Sequence, residues 1–261
     1  MGTIYSHLDK VKIKQKKIII SNLNDFLNIS SKMCKSSNFI FRGVSSTNQI
    51  YPKLIRKEDL SLYEFDILSA FEKYYSLYEK ADTYLDFLSL AQHYGLYTRL
   101  IDFSSNFLIA AFFALMNNNS DKSSCKIYVG DKQQYLNNDR NSLLNNLAIK
   151  NSKESFTEQF KNNMISLINH NAILIEPKYS NYRMFMQQGL FILPINICKQ
   201  NIKRIFSEMP FLIIIKQEAR KSIIDYLSKS GFTEYKLMPG LENVCNYINL
   251  SFVKENSNKQ K

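Results

Sequence analysis

Three short segments set polar or charged side chains beside glycine at the end of an apolar element. They are Phe39-Ile40-Phe41-Arg42-Gly43, Gln92-His93-Tyr94-Gly95-Leu96-Tyr97-Thr98-Arg99-Leu100-Ile101-Asp102, and Gln187-Gln188-Gly189-Leu190-Phe191. Core packing alone does not call for an arginine closing a strand, or for His, Thr, Arg and Asp crowded around one turn. Arg42 and Arg99 can each hold a phosphate or carboxylate through paired hydrogen bonds. Arg99 has a second reading as a buried ion pair with Asp102, whereas Arg42, followed by a glycine that lets another group approach, points to ligand contact. His93 is the one side chain of the set whose charge changes near physiological pH, unless it is spent on a hydrogen bond to its own turn. Gln187 and Gln188 donate and accept hydrogen bonds but cannot act as general bases. Polar clusters at element ends, on a rigid scaffold, are where sites are built.

The elements that must position these residues follow from periodicity. Leu23, Phe26 and Leu27 predict a helix from Asn22, capped by Ser21 or Asn22. Phe39-Ile40-Phe41 reads as a strand ending at Arg42-Gly43. Leu60 to Lys80 carries apolar residues at spacings of three and four, the pattern of a helix with one apolar face. Tyr84, Phe87, Leu88 and Ala91 predict the next helix, capped by Asp82 or Thr83 and stopped by Gly95, with His93 in its last turn. Residues 107–116 are apolar all round, a buried helix whose N-terminal amides would lie beside the polar cluster and favour an anion. Strands are predicted at Cys125–Val129, Ala172–Ile175, Gly189–Leu193 and Phe211–Ile215. Helices are predicted near 132–148 and 153–168, over Ser222–Leu227 with a stop at Gly231, and over Leu241–Leu250. Without regular βαβ alternation or an internal repeat, the chain reads as α+β.

The 261 residues suit one large domain or two small ones, and 45% hydrophobic content is a globular value. Cys34, Cys125, Cys198 and Cys245 form no C-x-x-C pair, and with His7, His93 and His170 they complete no zinc-ligand spacing. They read as buried, reduced thiols of a cytoplasmic protein. No stretch approaches the ~18–20 apolar residues of a membrane span, and Ile18-Ile19-Ile20 is too short for a signal sequence. The net charge of +11 attracts polyanions, unless it serves only as a solvated surface. The excess is concentrated in a basic segment, residues 1–21, and in a polar tail, residues 251–261.

The same motifs resemble the FRG domain family, after Phe41-Arg42-Gly43. The resemblance continues through Gln92-His93-Tyr94-Gly95, Thr98 to Asp102, Ala110-Ala111-Phe112-Phe113-Ala114, Arg183, and Gln187-Gln188-Gly189-Leu190-Phe191. It ends near Gly231 and Leu237-Met238-Pro239-Gly240-Leu241, about residues 22–250 in all. More distantly, the layout is similar to the ADP-ribosyltransferase superfamily. That resemblance implies a mixed core of short strands surrounded by helices, with NAD as substrate. Arg42, Gly43, Tyr94, Thr98, Arg99, Gln187 and Phe191 would then bind the dinucleotide, with Arg42 on the pyrophosphate and Tyr94 or Phe191 stacked on a ring. His93, Asp102 and Gln188 would hold the catalytic positions. The superfamily's Glu-x-Glu is absent near Gln188, so Asp102, His93 or Glu176 would have to supply its role. The implied protein is a mono-ADP-ribosyltransferase, a bacterial toxin or phage-defence effector modifying nucleic acid (RNA first) or protein, with an antitoxin as possible partner. The alternatives are a non-catalytic FRG module binding nucleic acid or nucleotide, and a hydrolase or nuclease using His93 and Asp102.

Overall fold

A computed structural model describes residues 15–45, 47–116, 125–135, 154–166, 170–177, 182–246 and 248. Seven strands form one mixed sheet: β1 (Lys16–Ile20), β2 (Phe39–Val44), β3 (Ile101–Ser104), β4 (Cys125–Asp131), β5 (Ala172–Ile175), β6 (Gly189–Pro194) and β7 (Phe211–Ile215). Their spatial order is β1-β7-β4-β2-β3-β6-β5, with β1 and β7 parallel and every other pair antiparallel. The fold is α+β, as expected from the absence of βαβ alternation. Residues 16–20 depart from the predicted basic segment. Lys16 and Lys17 open an edge strand, exposed at its start and buried at Ile20, where lysines discourage pairing with other chains.

The helices are α1 (Leu23–Met33), α2 (Lys53–Arg56), α3 (Glu64–Tyr75), α4 (Tyr84–His93), α5 (Phe107–Met116), α6 (Phe156–Ser166), α7 (Tyr182–Met186), α8 (Lys199–Ser207), α9 (Gln217–Lys229) and α10 (Glu234–Leu237). Their caps are local chemistry. The Asn22 side chain accepts from the Asp25 amide, and Thr83 and Asp86 form a capping box on α4. Gly95, at φ +93°, ends α4 in the left-handed region. The helix expected over Leu60–Lys80 is shorter. It opens with a 3₁₀ turn at Ser61–Tyr63 and ends at Tyr75, because the Leu77 and Tyr78 amides reach the Tyr74 and Tyr75 carbonyls, three residues back. Residues 241–246 are helical, and Lys132–Tyr135 is a 3₁₀ turn. The rest of the helix expected at 132–148 and the tail at 251–261 lie outside the described residues. No described helix is long and apolar enough to cross a membrane. Of the four free cysteines, Cys125 is buried, but Cys34, Cys198 and Cys245 are exposed, against expectation.

Three apolar clusters share the sheet. One packs α1, α5 and α9 on β1, β7, β4 and β2. A second joins α3, α4 and α6 to β5 and β6, and a third packs α2 and α8 on the opposite face. Helix α5 lies so close to β2 that a Cβ on Gly43 would stand 1.8 Å from the Ala110 carbonyl oxygen and 2.7 Å from the Ala114 nitrogen. The missing Cβ of Gly43 therefore admits a helix backbone, while Gly43 also lines the cavity beside that helix. Replacing Gly43 by Ala is expected to lower unfolding free energy by about 3 kcal/mol, the upper part of the overpacking range, since main chain must move. Urea denaturation measures this, and a loss below about 1 kcal/mol would contradict the close approach.

Candidate functional site

Over the middle of the sheet α4 and α5 part, and a cavity of about 230 Å³ opens between them. The strands supply Arg42, Asp102, Ser104 and Phe191; α4 supplies Gln92 and His93; α5 supplies Ile109, Ala110 and Phe113. Lys53 and Arg56 of α2, Arg183 of α7, and Gln187 complete the charged and polar lining. The three glycine-linked segments thus meet in one place. Among the described residues, four cations, Arg42, Lys53, Arg56 and Arg183, line the cavity with a single carboxylate, Asp102.

Arg42 sits where the sheet comes apart. Strands β2 and β3 pair only at Phe41 and Ser104. Continued, that register would set Gly43 opposite Asp102, but the Arg42 guanidinium takes the place of the next main-chain bond. Its Nη1 donates to the Asp102 carbonyl (2.5 Å) and its Nη2 to the Gln49 carbonyl (2.6 Å), while Nη1 lies 3.8 Å from the Asp102 carboxylate. Burial lowers the Arg42 pKa to about 10, opposed by Asp102 and reinforced by Arg56, so the group remains charged at neutral pH. Its Nε is buried without a hydrogen-bond partner among the described residues.

The Asp102 carboxylate is oriented by a relay. The Leu100 amide donates to the Thr98 hydroxyl, which donates to Gln92 Oε1 at 2.5 Å. With its oxygen so engaged, the Gln92 carboxamide turns its Nε2 to both carboxylate oxygens, at 3.2 and 3.1 Å. Thr98 and Gln92 are buried, whereas the Asp102 side chain is 57% exposed and open to the cavity. Sequence reasoning passed over Gln92, Lys53, Arg56 and Arg183 as lining residues. Gln92 was legible in principle, since the apolar residues of α4 place it one position before His93 on the inward side.

Several expected site residues lie elsewhere. Arg99 pairs with Glu64 in place of Asp102; Nη2 and Nε bond the two carboxylate oxygens, and Nη1 donates to the Ile195 carbonyl at 2.9 Å. Glu64 is fully buried, a partner 35 residues before Arg99 in the chain, brought there by α3, which packs on that side of the sheet. Tyr94 is exposed, its hydroxyl donating to Glu79 at 2.8 Å, so no ring-stacking position remains for it in the cavity. Thr98 acts on Gln92, behind the lining. Gln188 takes φ +45°, a left-handed conformation uncommon for a residue with a Cβ, and borders a neighbouring depression. Gln187 lines the cavity but spends its Nε2 on the Leu237 carbonyl, 2.8 Å away. Glu176 is bound to Lys132. Helix α5 meets the cavity side-on, and Asn106 Oδ1 already accepts the Leu108 amide at its N-terminus, so the expected anion position there is partly filled. Among the described residues, no three His, Cys, Asp or Glu side chains gather closely enough to hold a metal ion.

Residues 37–123 match the model of the FRG domain, and the chain carries an FRG domain over that span. The match includes Arg42, Gln92, His93, Thr98 and Asp102, while β1 and β4–β7, outside it, complete the same sheet. No curated protein and no solved structure matches the chain.

His93 carries a charge-state consequence. Burial lowers its pKa below 6.5, Arg183 lowers it further, and Glu79 opposes both. The imidazole is therefore neutral at pH 7 in the folded protein. The unfolded chain binds this proton more readily, so the stability that His93 contributes is full above about pH 6.5 and falls as pH drops through the folded value. An NMR titration is expected to find the His93 midpoint below 6.5 and to find it raised in Arg183→Gln. An unchanged midpoint in that variant would separate the two side chains.

Proposed function

We propose that the cavity binds NAD through its diphosphate and that the protein is a mono-ADP-ribosyltransferase acting on nucleic acid, RNA first. The convergence of four cations on one oriented carboxylate carries this reading. Guanidinium groups are the side chains best matched to a diphosphate, and the partnerless Arg42 Nε marks hydrogen-bonding capacity the fold leaves unused. Phe113 and Phe191 offer apolar surface for a ring. At about 230 Å³ the cavity is smaller than the ~300–1,000 Å³ common for whole drug-sized ligands, so part of the dinucleotide would lie along its open side. The similarity of layout to the ADP-ribosyltransferase superfamily, noted from the motifs, adds to this reading and is not independent of it.

In this chemistry the bond between ribose C1′ and the nicotinamide nitrogen breaks, and its electron pair leaves on neutral nicotinamide. An acceptor lone pair forms the new bond to C1′, and the acceptor's proton passes to a base. Positive charge grows on the sugar as the bond breaks. Asp102, fixed by Gln92 and facing the cavity, supplies a nearby negative charge that needs no reorientation. His93, neutral at pH 7, is a fitting acceptor for the released proton. The surplus cations hold the diphosphate and, with the net charge of +11, draw a polyanionic acceptor in a salt-dependent way.

A second reading is favoured by one observation. Among the described residues, Asp102 is the only carboxylate lining the cavity, and both its oxygens are engaged by Gln92. A nucleotide-binding module without catalysis needs no more than that. Incubation with NAD labelled on the adenylate, together with total RNA, DNA and cell lysate, separates the two. Transfer of label to nucleic acid is expected, reduced at least about a hundredfold in Arg42→Ala and in Asp102→Asn, the loss associated with one electrostatic group in a transition state. Tight binding of unchanged NAD with no nicotinamide released would leave the binding module, and full activity of Arg42→Ala would remove the assignment altogether.

A further inference from the structure

Beside the cavity, across the Gln187-Gln188 turn, lies a second depression of about 460 Å³ that the chemistry above leaves unused. The two share Ile109 in their walls, and the Gln187 side chain reaches across the turn to the Leu237 carbonyl. The floor is apolar, formed by Ile109 and Phe232, and Phe185 stands at its mouth with 55% of its surface exposed. The amides of Asn106 and Gln188 border it. Lys236 Nζ closes over one side, within 3.3 Å of where a Cβ on Gly231 would stand.

We propose that this depression receives an unpaired base of a single-stranded nucleic acid, held between the aromatic surface of Phe185 and the apolar floor, with Lys236 on the adjoining backbone phosphate. Each part of that ligand finds its counterpart. A flat ring requires exposed aromatic surface; Phe185, whose ring centroid lies 6.3 Å from that of Tyr182, keeps 55% of its surface exposed, and stacking of this kind is indifferent to base identity. Base edges carry acceptors, which the amide nitrogens of Asn106 and Gln188 can answer, their oxygens accepting from the Leu108 amide and the Ser105 hydroxyl. The backbone is anionic, and the chain carries an excess of eleven positive charges. A duplex, whose bases are stacked away, has nothing to place in such a hollow. Identifying the bound strand as the acceptor rests on the ADP-ribosyltransferase reading; binding of the strand does not.

Fluorescence anisotropy with mixed-sequence single-stranded RNA and DNA 12-mers tests this, with NAD binding followed in parallel by calorimetry. Phe185→Ala and Lys236→Glu are both at exposed positions, so each variant is expected to melt as the parent does. Each is expected to weaken oligonucleotide binding about tenfold, with the same oligonucleotides in duplex form binding less well than the single strands. NAD binding is expected to be unaffected by either. Equal affinity for RNA and DNA assigns the site to either sugar, and preference for RNA assigns the 2′-hydroxyl a part. Oligonucleotide affinity unchanged in both variants overturns the proposal, as does binding of an acidic peptide at this position in place of the strands. If NAD fails to bind while the oligonucleotide results hold, the transferase reading falls and the base site stands.

Discussion

The Arg42 guanidinium joins two halves of a sheet at the place where their main chains stop bonding. Taking a cation this far from water is costly, by several kcal/mol before compensation. Two main-chain carbonyls, Asp102 and Gln49, and the nearby Asp102 carboxylate offset that cost. The gap between β2 and β3 gives the cavity its floor, and the same side chain that spans the gap provides the deepest positive charge within it. Fold and site therefore depend on one group. The sheet tolerates a missing bond there because Arg42 replaces it, and the cavity exists because the bond is missing.

Around that seam the supporting residues act in series. Gly43 lets α5 rest directly on β2, which fixes Ile109, Ala110 and Phe113 as one wall. Thr98 sets the carboxamide of Gln92, Gln92 sets Asp102, and α4 is held at its start by the Thr83–Asp86 capping box. The buried Arg99–Glu64 pair ties α3 to the end of β6, on the far side of α4 from the cavity. The result is a carboxylate that is exposed yet has little orientational freedom. Preorganised groups of that kind stabilise developing charge without the cost of turning toward it.

Elements with strong local signals were legible in the sequence. α1 and α4 announced themselves through caps and apolar spacing, and α5 through its unbroken run of apolar residues. Strands β4 to β7 announced themselves through short apolar or β-branched runs. Elements whose signal is tertiary were not. β1 begins with two lysines and is a strand only because β7 offers it an edge, and α7 and α10 are single turns held by their neighbours. The three polar segments were legible as belonging together through their shared pattern of polar side chains beside glycine, and they meet at one cavity. Partner assignment was not legible, since Arg99 is three residues from Asp102 in the chain but is met by Glu64, brought in by a helix thirty-five residues earlier. Nor was the role of Gly43, because a glycine that admits a helix and one that admits a ligand look alike in sequence.

On the reading proposed above, the charge closing the seam also receives the diphosphate. A crystal structure with ADP-ribose bound tests it most directly. The account predicts diphosphate oxygens against the guanidinium groups of Arg42 and Arg56, with Asp102 still on Gln92 and the adjoining ribose above it. ADP-ribose bound away from the β2–β3 gap, with Arg42 touching only the carbonyls of Asp102 and Gln49, would contradict it.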